Sequence, residues 1–236
     1  MASEDLKRAA GEFAVDFVNS GMIVGLGEGT TAVWAIRRLA QKLRDGQLSH
    51  VLGIPSSQNV ERVARELGLP LTTLERHPHI DLTIDGADEV DPHFNLIKGG
   101  GGALLREKIV AQATRREIIV VTEEKLSPNL GMKWAVPVEV LQFGLGSQKA
   151  FLQSLGARVS LRIKDGLPFV TDSGNHILDC SFGRIDDPAA LAQQLSTRAG
   201  LLEHGLFIGL AHDLVVAGAD GVRHIAARGR GRGEKM

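Results

Sequence analysis

Three short stretches of this chain gather the residue types that proton transfer needs. "DLTIDGADEVD" crowds Asp85, Asp88 and Glu89 around the turn at Gly86. Carboxylates held close raise one another's pKa, which is how acid/base groups are made, and they also suit a divalent cation. A solvated acidic turn is the plainer alternative, but Asp85 ends an apolar strand-like run, where partial burial is expected. "LIKGGGGALLREKIV" sets Lys98, four consecutive glycines and Glu107 in one segment. At 100° per residue, Glu107 shares its side of a helix with Ala103, Leu104, Val110, Ala111 and Thr114, so it is expected off the solvated face. A carboxylate there has a raised pKa and can work as a base near neutrality, or it forms a structural ion pair with Lys98 or Arg106.

"GLGEGTTA" (residues 25–32) is the third stretch. Its glycines allow close backbone approach, the helix that follows offers free N–H groups and a positive dipole end, and Thr30 and Thr31 add hydroxyls. That combination suits a phosphate; a tight turn that binds nothing is the alternative. The dinucleotide spacing would need glycine where Thr30 stands, and no G-K-[ST] follows, so it is neither a Rossmann fingerprint nor a Walker loop. In "IPSSQN", Ser56 or Ser57 reads first as a helix cap. His77, His79 and His93 lie in polar loops without ligand spacing, so no metal is expected.

The elements that must position these groups alternate at short intervals. A helix is expected over about Ser3 to Val18, then strand "MIVGLG", a helix from Thr30 or Thr31, strand "HVLGIP" and a helix in "SSQNVERVAREL". Strands "LPLTTL" and "IDLTID" follow, then a helix over 103–115 and strand "EIIVVT". Such alternation predicts an α/β fold, a mostly parallel, Rossmann-like sheet with helices on both faces, with ligands at the carboxyl ends of its strands. After about Val136 the strands shorten, a helix starts at Asp187–Pro188, and a smaller mixed α+β domain is expected. The expected division is 1–135 with 205–228 as the main domain, 136–204 as the smaller one and 229–236, within "ARGRGRGEKM", as a disordered tail.

The chain has 236 residues, 43% hydrophobic and 23% charged, with a net charge of −1. Such a balance gives no case for binding nucleic acid or an anionic membrane surface. No run of eighteen apolar residues is present, no signal core opens the chain, and the single Cys180 suits a reducing compartment; the cytoplasm is the expected location.

Taken together and in order, the motifs resemble the type A ribose-5-phosphate isomerase family. "GLGEGTTA" is similar to its phosphate loop, "DGADEVD" and "IKGGGGALLREKI" to its two central signatures, and "VTEEKLSPNLG" to a later segment bearing Lys125; "PVEV" and "VTDSGNHILD" continue the likeness over nearly the whole chain. The resemblance implies interconversion of ribose 5-phosphate and ribulose 5-phosphate through an enediolate, without metal or cofactor, in the non-oxidative pentose phosphate pathway. It implies Glu107 as base, Asp85 assisting ring opening, Asp88 holding hydroxyls, and Lys98 with glycine N–H groups steadying the oxyanion. Glu28, Gly29, Thr30, Thr31, Gly86, Ala87, Gly99, Gly100, Gly101 and Lys125 are the further substrate contacts, and a homodimer or homotetramer is the implied assembly. One residue departs from the pattern: the family loop usually has threonine where this chain has Glu28. A carboxylate there repels a dianionic phosphate unless it turns away.

Overall fold

The computed structural model describes residues 3–227. In chain order the elements are α1 (Ser3–Ala14), β1 (Ile23–Leu26), α2 (Ala32–Arg44), β2 (Leu52–Pro55), α3 (Gln58–Glu66), β3 (Leu82–Asp85), β4 (Glu89–Val90), β5 (Leu96–Ile97), α4 (Leu104–Gln112) and β6 (Glu117–Thr122). There follow β7 (Val136–Val140), α5 (Leu145–Ser154), β8 (Arg158–Leu161), β9 (Ile163–Lys164), β10 (Leu167–Pro168), β11 (His176–Ser181), α6 (Pro188–Ser196), β12 (Leu201–His204), β13 (Leu206–Phe207), β14 (Asp213–Gly218) and β15 (Gly221–Ala226).

The central sheet has the order β15-β14-β6-β3-β1-β2. Its pairings are parallel except that of the hairpin partner β15. Strands covered on both faces are continuous apolar runs, and β6 ("EIIVVT") and β14 ("DLVVAG") are buried along their whole length. Side chains alternate across the sheet. Ile118, Val120, Leu82 and Ile84 join α1, α2 and α3 in one core. Ile119 and Val121 join Ala111 of α4 on the other face. The expected parallel sheet with helices on both faces is therefore what the chain forms.

Residues 136–204 supply a second, antiparallel sheet of order β12-β7-β11-β8. Val136, Val138, Val140, Leu178 and Cys180 form its core with Leu152 of α5 and Leu195 of α6, and Ile97, Leu130 and Leu206 join them. The short sheet β13-β5-β4 carries the chain back beside Lys98 before β14.

Local expectations fail in three places. "LPLTTL" forms no strand: Leu71 makes a single bridge to Gly53. Pro70 has no N–H to extend a ladder, and the Thr72 hydroxyl turns to His77 Nδ1 at 2.7 Å. Of the short strands that the sequence suggests after Val136, "LPFVT" reduces to Leu167–Pro168, and the first helix stops at Ala14, continuing only as a 3₁₀ turn over Val15–Phe17. The expected tail at 229–236 lies outside the described residues.

Candidate active site

Lys98 follows β5 and is held by its backbone, whose N–H donates to the Gly205 carbonyl at 2.9 Å. The side chain is 2% exposed. Its ammonium donates to the Gly86 carbonyl at 2.6 Å and to Glu107 Oε1 at 2.8 Å, and stands 3.0 Å from Asp85 Oδ2. Burial on its own would lower this ammonium's pKa; the two carboxylates overcome it and hold Lys98 above the ordinary lysine range. Lys98 is thus a fixed cation, not a titrating group.

Asp85 ends β3 and Glu107 lies in the first turn of α4. Both are buried. Burial raises the pKa of each, against the Lys98 charge, and Glu107 is pushed up to about 7, with Asp85 and Asp88 adding to the rise. The helical spacing correctly put Glu107 off the solvent side. The two alternatives for it coincide, since the pair with Lys98 is present and the carboxyl remains half-protonated near neutrality.

Asp85 also organises the backbone around it. Its Oδ1 accepts from Gly86 N–H at 2.7 Å and Glu28 N–H at 3.0 Å. That contact brings the loop after β1 against β3, and a Cβ on Gly27 would collide with Asp85. Asp88 accepts from Gly100 N–H at 2.7 Å and so ties the second acidic residue to the glycine loop. Gly99 and Gly102, at φ +103° and +89°, take the left-handed backbone that L side chains rarely adopt. Ala87 packs on the Val90 and Leu96 core behind them.

Glu89 departs from the expected acidic cluster. Its carboxylate accepts the N–H groups of Gly131, Met132, Lys133 and Trp134 at 3.0–3.2 Å and shapes that loop instead. Lys125 ends the 3₁₀ turn that follows β6, with its ammonium 5.0 Å from the centre of the Trp134 ring.

Thr30 and Gly29 are exposed at the carboxyl edge, and Thr31 occupies the N-cap of α2 without a side-chain capping bond. Glu28 does turn: its carboxylate accepts from the Ser57 hydroxyl and from Asn59 Nδ2, the latter at 3.0 Å. Ser57 caps α3 as expected, accepting from Val60 N–H at 3.0 Å, and this second bond was not foreseen. Asp172, 114 residues away, accepts from Gln58 N–H at 2.7 Å.

Sequence pattern marks a further carboxyl, Glu117, only as the start of a strand. Glu117 opens β6 opposite Thr83 in register, so its side chain lies on the face that bears Asp85. It is 1% exposed, and neither oxygen has a hydrogen-bond partner. Burial, then the charge of Asp85, raises its pKa well above the usual range. Among the described residues no group of three or more His, Cys, Asp or Glu side chains is arranged to hold a metal ion, and no helix is long and apolar enough to cross a membrane.

A parallel sheet whose carboxyl edge presents a buried carboxylate–ammonium–carboxylate cluster beside a glycine loop defines an α/β enzyme of the proton-transfer class. The profile of the ribose 5-phosphate isomerase A (phosphoriboisomerase A) family matches residues 52–221. A ribose-5-phosphate isomerase A of Chloroflexus aurantiacus is 55% identical over 225 residues, covering 95% of this chain and 94% of that one. Among solved structures, the ribose 5-phosphate isomerase of Plasmodium falciparum superposes with a TM-score of 0.92 at 39% identity, over 96% of this chain and 100% of that one. A D-ribose-5-phosphate isomerase in complex with phospho-erythronic acid superposes with a TM-score of 0.93 at 36% identity, over 96% and 100% of the two chains. The chain belongs to the ribose 5-phosphate isomerase A family.

Proposed function

We infer that this protein interconverts the aldose ribose 5-phosphate and the ketose ribulose 5-phosphate. The observation that carries the reading is the Lys98 ammonium fixed between Asp85 and Glu107, with Glu107 at a pKa of about 7. Ionised Glu107 takes the proton from C2 of the open-chain aldose. The electron pair moves onto the carbonyl oxygen, giving an enediolate. The proton then returns from Glu107 to C1, while the C2 oxygen becomes the ketone and gives its own proton to the oxygen at C1. Lys98 faces the oxygens on which charge develops. Asp85 assists opening of the sugar ring and Asp88 holds hydroxyls.

In this reading the phosphate lies at the carboxyl edge, against Gly29, Thr30, Thr31 and the N-terminus of α2, where free N–H groups favour an anion. The ammonium supplies the electrophile, so the reaction needs neither metal nor cofactor. A coupled assay of ribose 5-phosphate conversion, run with and without EDTA, tests both statements; no turnover, or turnover abolished by the chelator, would refute the corresponding one.

The division into 1–135 with 205–228 and 136–204 is proposed as the domain organisation, supported by the separate antiparallel sheet of the second segment. A homodimer or homotetramer is the proposed assembly, supported by the exposed apolar Leu141 and Phe143 in the loop after β7 and Leu202 of β12. The reduced, buried Cys180 fits a cytoplasmic location.

A further inference from the structure

The glycine loop is held from outside the central sheet. Arg162, between β8 and β9, donates through Nη1 to the carbonyls of Gly99 at 2.8 Å and Gly100 at 3.1 Å. The other side of the same guanidinium grips Asp179 of β11, with Nε at 3.0 Å and Nη2 at 2.5 Å. This is a two-point fork on a carboxylate, the geometry that arginine makes and lysine cannot. The side chain is mostly buried, so the contact is poorly screened.

The segment that follows Arg162 continues across the site. Its carbonyl accepts from Phe169 N–H at 2.8 Å, and the Phe169 ring fills the space where a Cβ of Gly102 would stand. Asp172 then reaches the start of α3 at Gln58 and accompanies Arg106 of α4, whose Nη2 donates to the Asp172 carbonyl at 3.1 Å. The stretch from Arg162 to Asp172, between β8 and β11, therefore touches the glycine loop, α3 and α4 within eleven residues.

The consequence follows from the planarity of the peptide. In a trans unit the C=O and the N–H point to opposite sides. The Gly99 carbonyl goes to Arg162 and also accepts from Gly102 N–H at 3.0 Å, and the N–H of the same unit, that of Gly100, goes to Asp88. The Gly100 carbonyl also goes to Arg162, so the N–H of Gly101 points away from it. That N–H takes no hydrogen bond among the described residues, and Gly101 is exposed beside Glu28, whose Cγ is 3.3 Å from where a Gly101 Cβ would lie. Gly101 itself lies beside the loop that carries Glu28, at the exposed end of the site, with its N–H unpaired and turned from Arg162.

We propose that Arg162 is a positioning residue for phosphate binding: anchored on Asp179, it holds two glycine carbonyls so that the Gly101 N–H is aimed, before substrate arrives, at the phosphate of the sugar. It touches no reacting atom and acts through the loop. The proposal rests on the isomerase reading for the identity of the substrate. Its signature is a split between binding and chemistry. In Arg162→Ala, KM for ribose 5-phosphate rises about tenfold or more, the value of one well-aligned hydrogen bond to an anion, while kcat stays within about threefold. The inhibition constant for inorganic phosphate rises in parallel. Arg162→Lys keeps the charge without the fork and shows the same split at smaller size; it decides the matter if the alanine variant does not fold. A kcat that falls with KM unchanged, or kinetics equal to the parent's, overturns the proposal. Calorimetric titration of parent and variant with inorganic phosphate separates the two readings. A parent that binds phosphate but does not turn over ribose 5-phosphate defeats the functional reading alone. Equal phosphate affinity in parent and variants defeats the role of Arg162 alone.

Discussion

A carboxyl group with a pKa of about 7 is half ionised at neutral pH, and Glu107 reaches that state by burial opposed by one fixed ammonium. Its sign is that of a base: the active form appears as pH rises. kcat/KM for ribose 5-phosphate is therefore expected to climb through about pH 7, and a profile flat from pH 5 to 8 would exclude Glu107 as the titrating base. Glu107→Gln keeps the shape and the bond to Lys98 but cannot take a proton. It should lose about 10²–10⁴-fold in kcat with substrate still bound; a fully active variant would remove Glu107 from the role. Glu28 poses the opposite question, since its charge lies where the family usually has threonine. The carboxylate is drawn toward Ser57 and Asn59 but remains at the edge of the loop. Glu28→Thr is expected to lower KM with kcat little changed, and an unchanged or higher KM would show that its turn already relieves the repulsion.

At the scale of elements, the close approach of β1 and β3 explains why Asp85 can hold the next loop. Gly27 leaves room for Asp85 against the backbone, and any side chain there would strike both its carboxylate and its Cα. Gly27→Ala should separate the strand ends, cost about 1–3 kcal/mol as an overpacked core position does, and lower kcat/KM sharply. The control is Gly146 in α5, where a Cβ would meet nothing within 4 Å and φ is not positive. Gly146→Ala should be neutral or stabilise by up to about 1 kcal/mol. Equal effects of the two on the thermal midpoint would contradict the packing account. The elements themselves were legible where the pattern is local. "EIIVVT" is a strand from its first to its last residue, and Asp187–Pro188 starts a helix whose cap accepts from Ala190 N–H. "LPLTTL" was not, because its apolar content belongs to a loop packed on β2, and alternation cannot distinguish the two.

Across the whole molecule, the buried titratable groups pull stability in two directions with pH. His204 is held neutral, its pKa lowered to about 4 by burial and by Lys108, so its contribution is present above the ordinary histidine range and lost on acidification. Glu107, raised to about 7, contributes stability below the unfolded carboxylate range that is lost as pH rises. The two therefore act in opposite senses between the ordinary carboxylate and histidine ranges. Glu117 adds to the loss on the alkaline side, because its raised pKa makes the folded state hold a proton that the unfolded chain releases. Glu117→Gln removes that linkage without changing size. Its thermal midpoint should match the parent's near pH 4.5 and exceed it increasingly toward pH 8, and a pH-independent difference would show that the carboxyl is not held protonated. A buried acid with no partner is a cost that the surrounding fold sustains.

The sequence by itself determined the alternation of strands and helices, the strand end at Asp85 and the buried side of α4 that carries Glu107. Each depends on neighbours a few residues away, through side-chain period and propensity. Tertiary structure alone decided that Glu89 leaves the acidic cluster for the loop at 131–134, that Lys125 lies on Trp134, that Glu28 reaches Ser57, that Arg162 grips the glycine loop, and that Glu117 is buried beneath the site. The contacts of Glu28 with Ser57 and Asn59 and of Arg162 with the glycine loop join residues 29 to 63 positions apart. No local pattern encodes such meetings, because they exist only after two sheets have packed and each polar group has found the partner that burial requires.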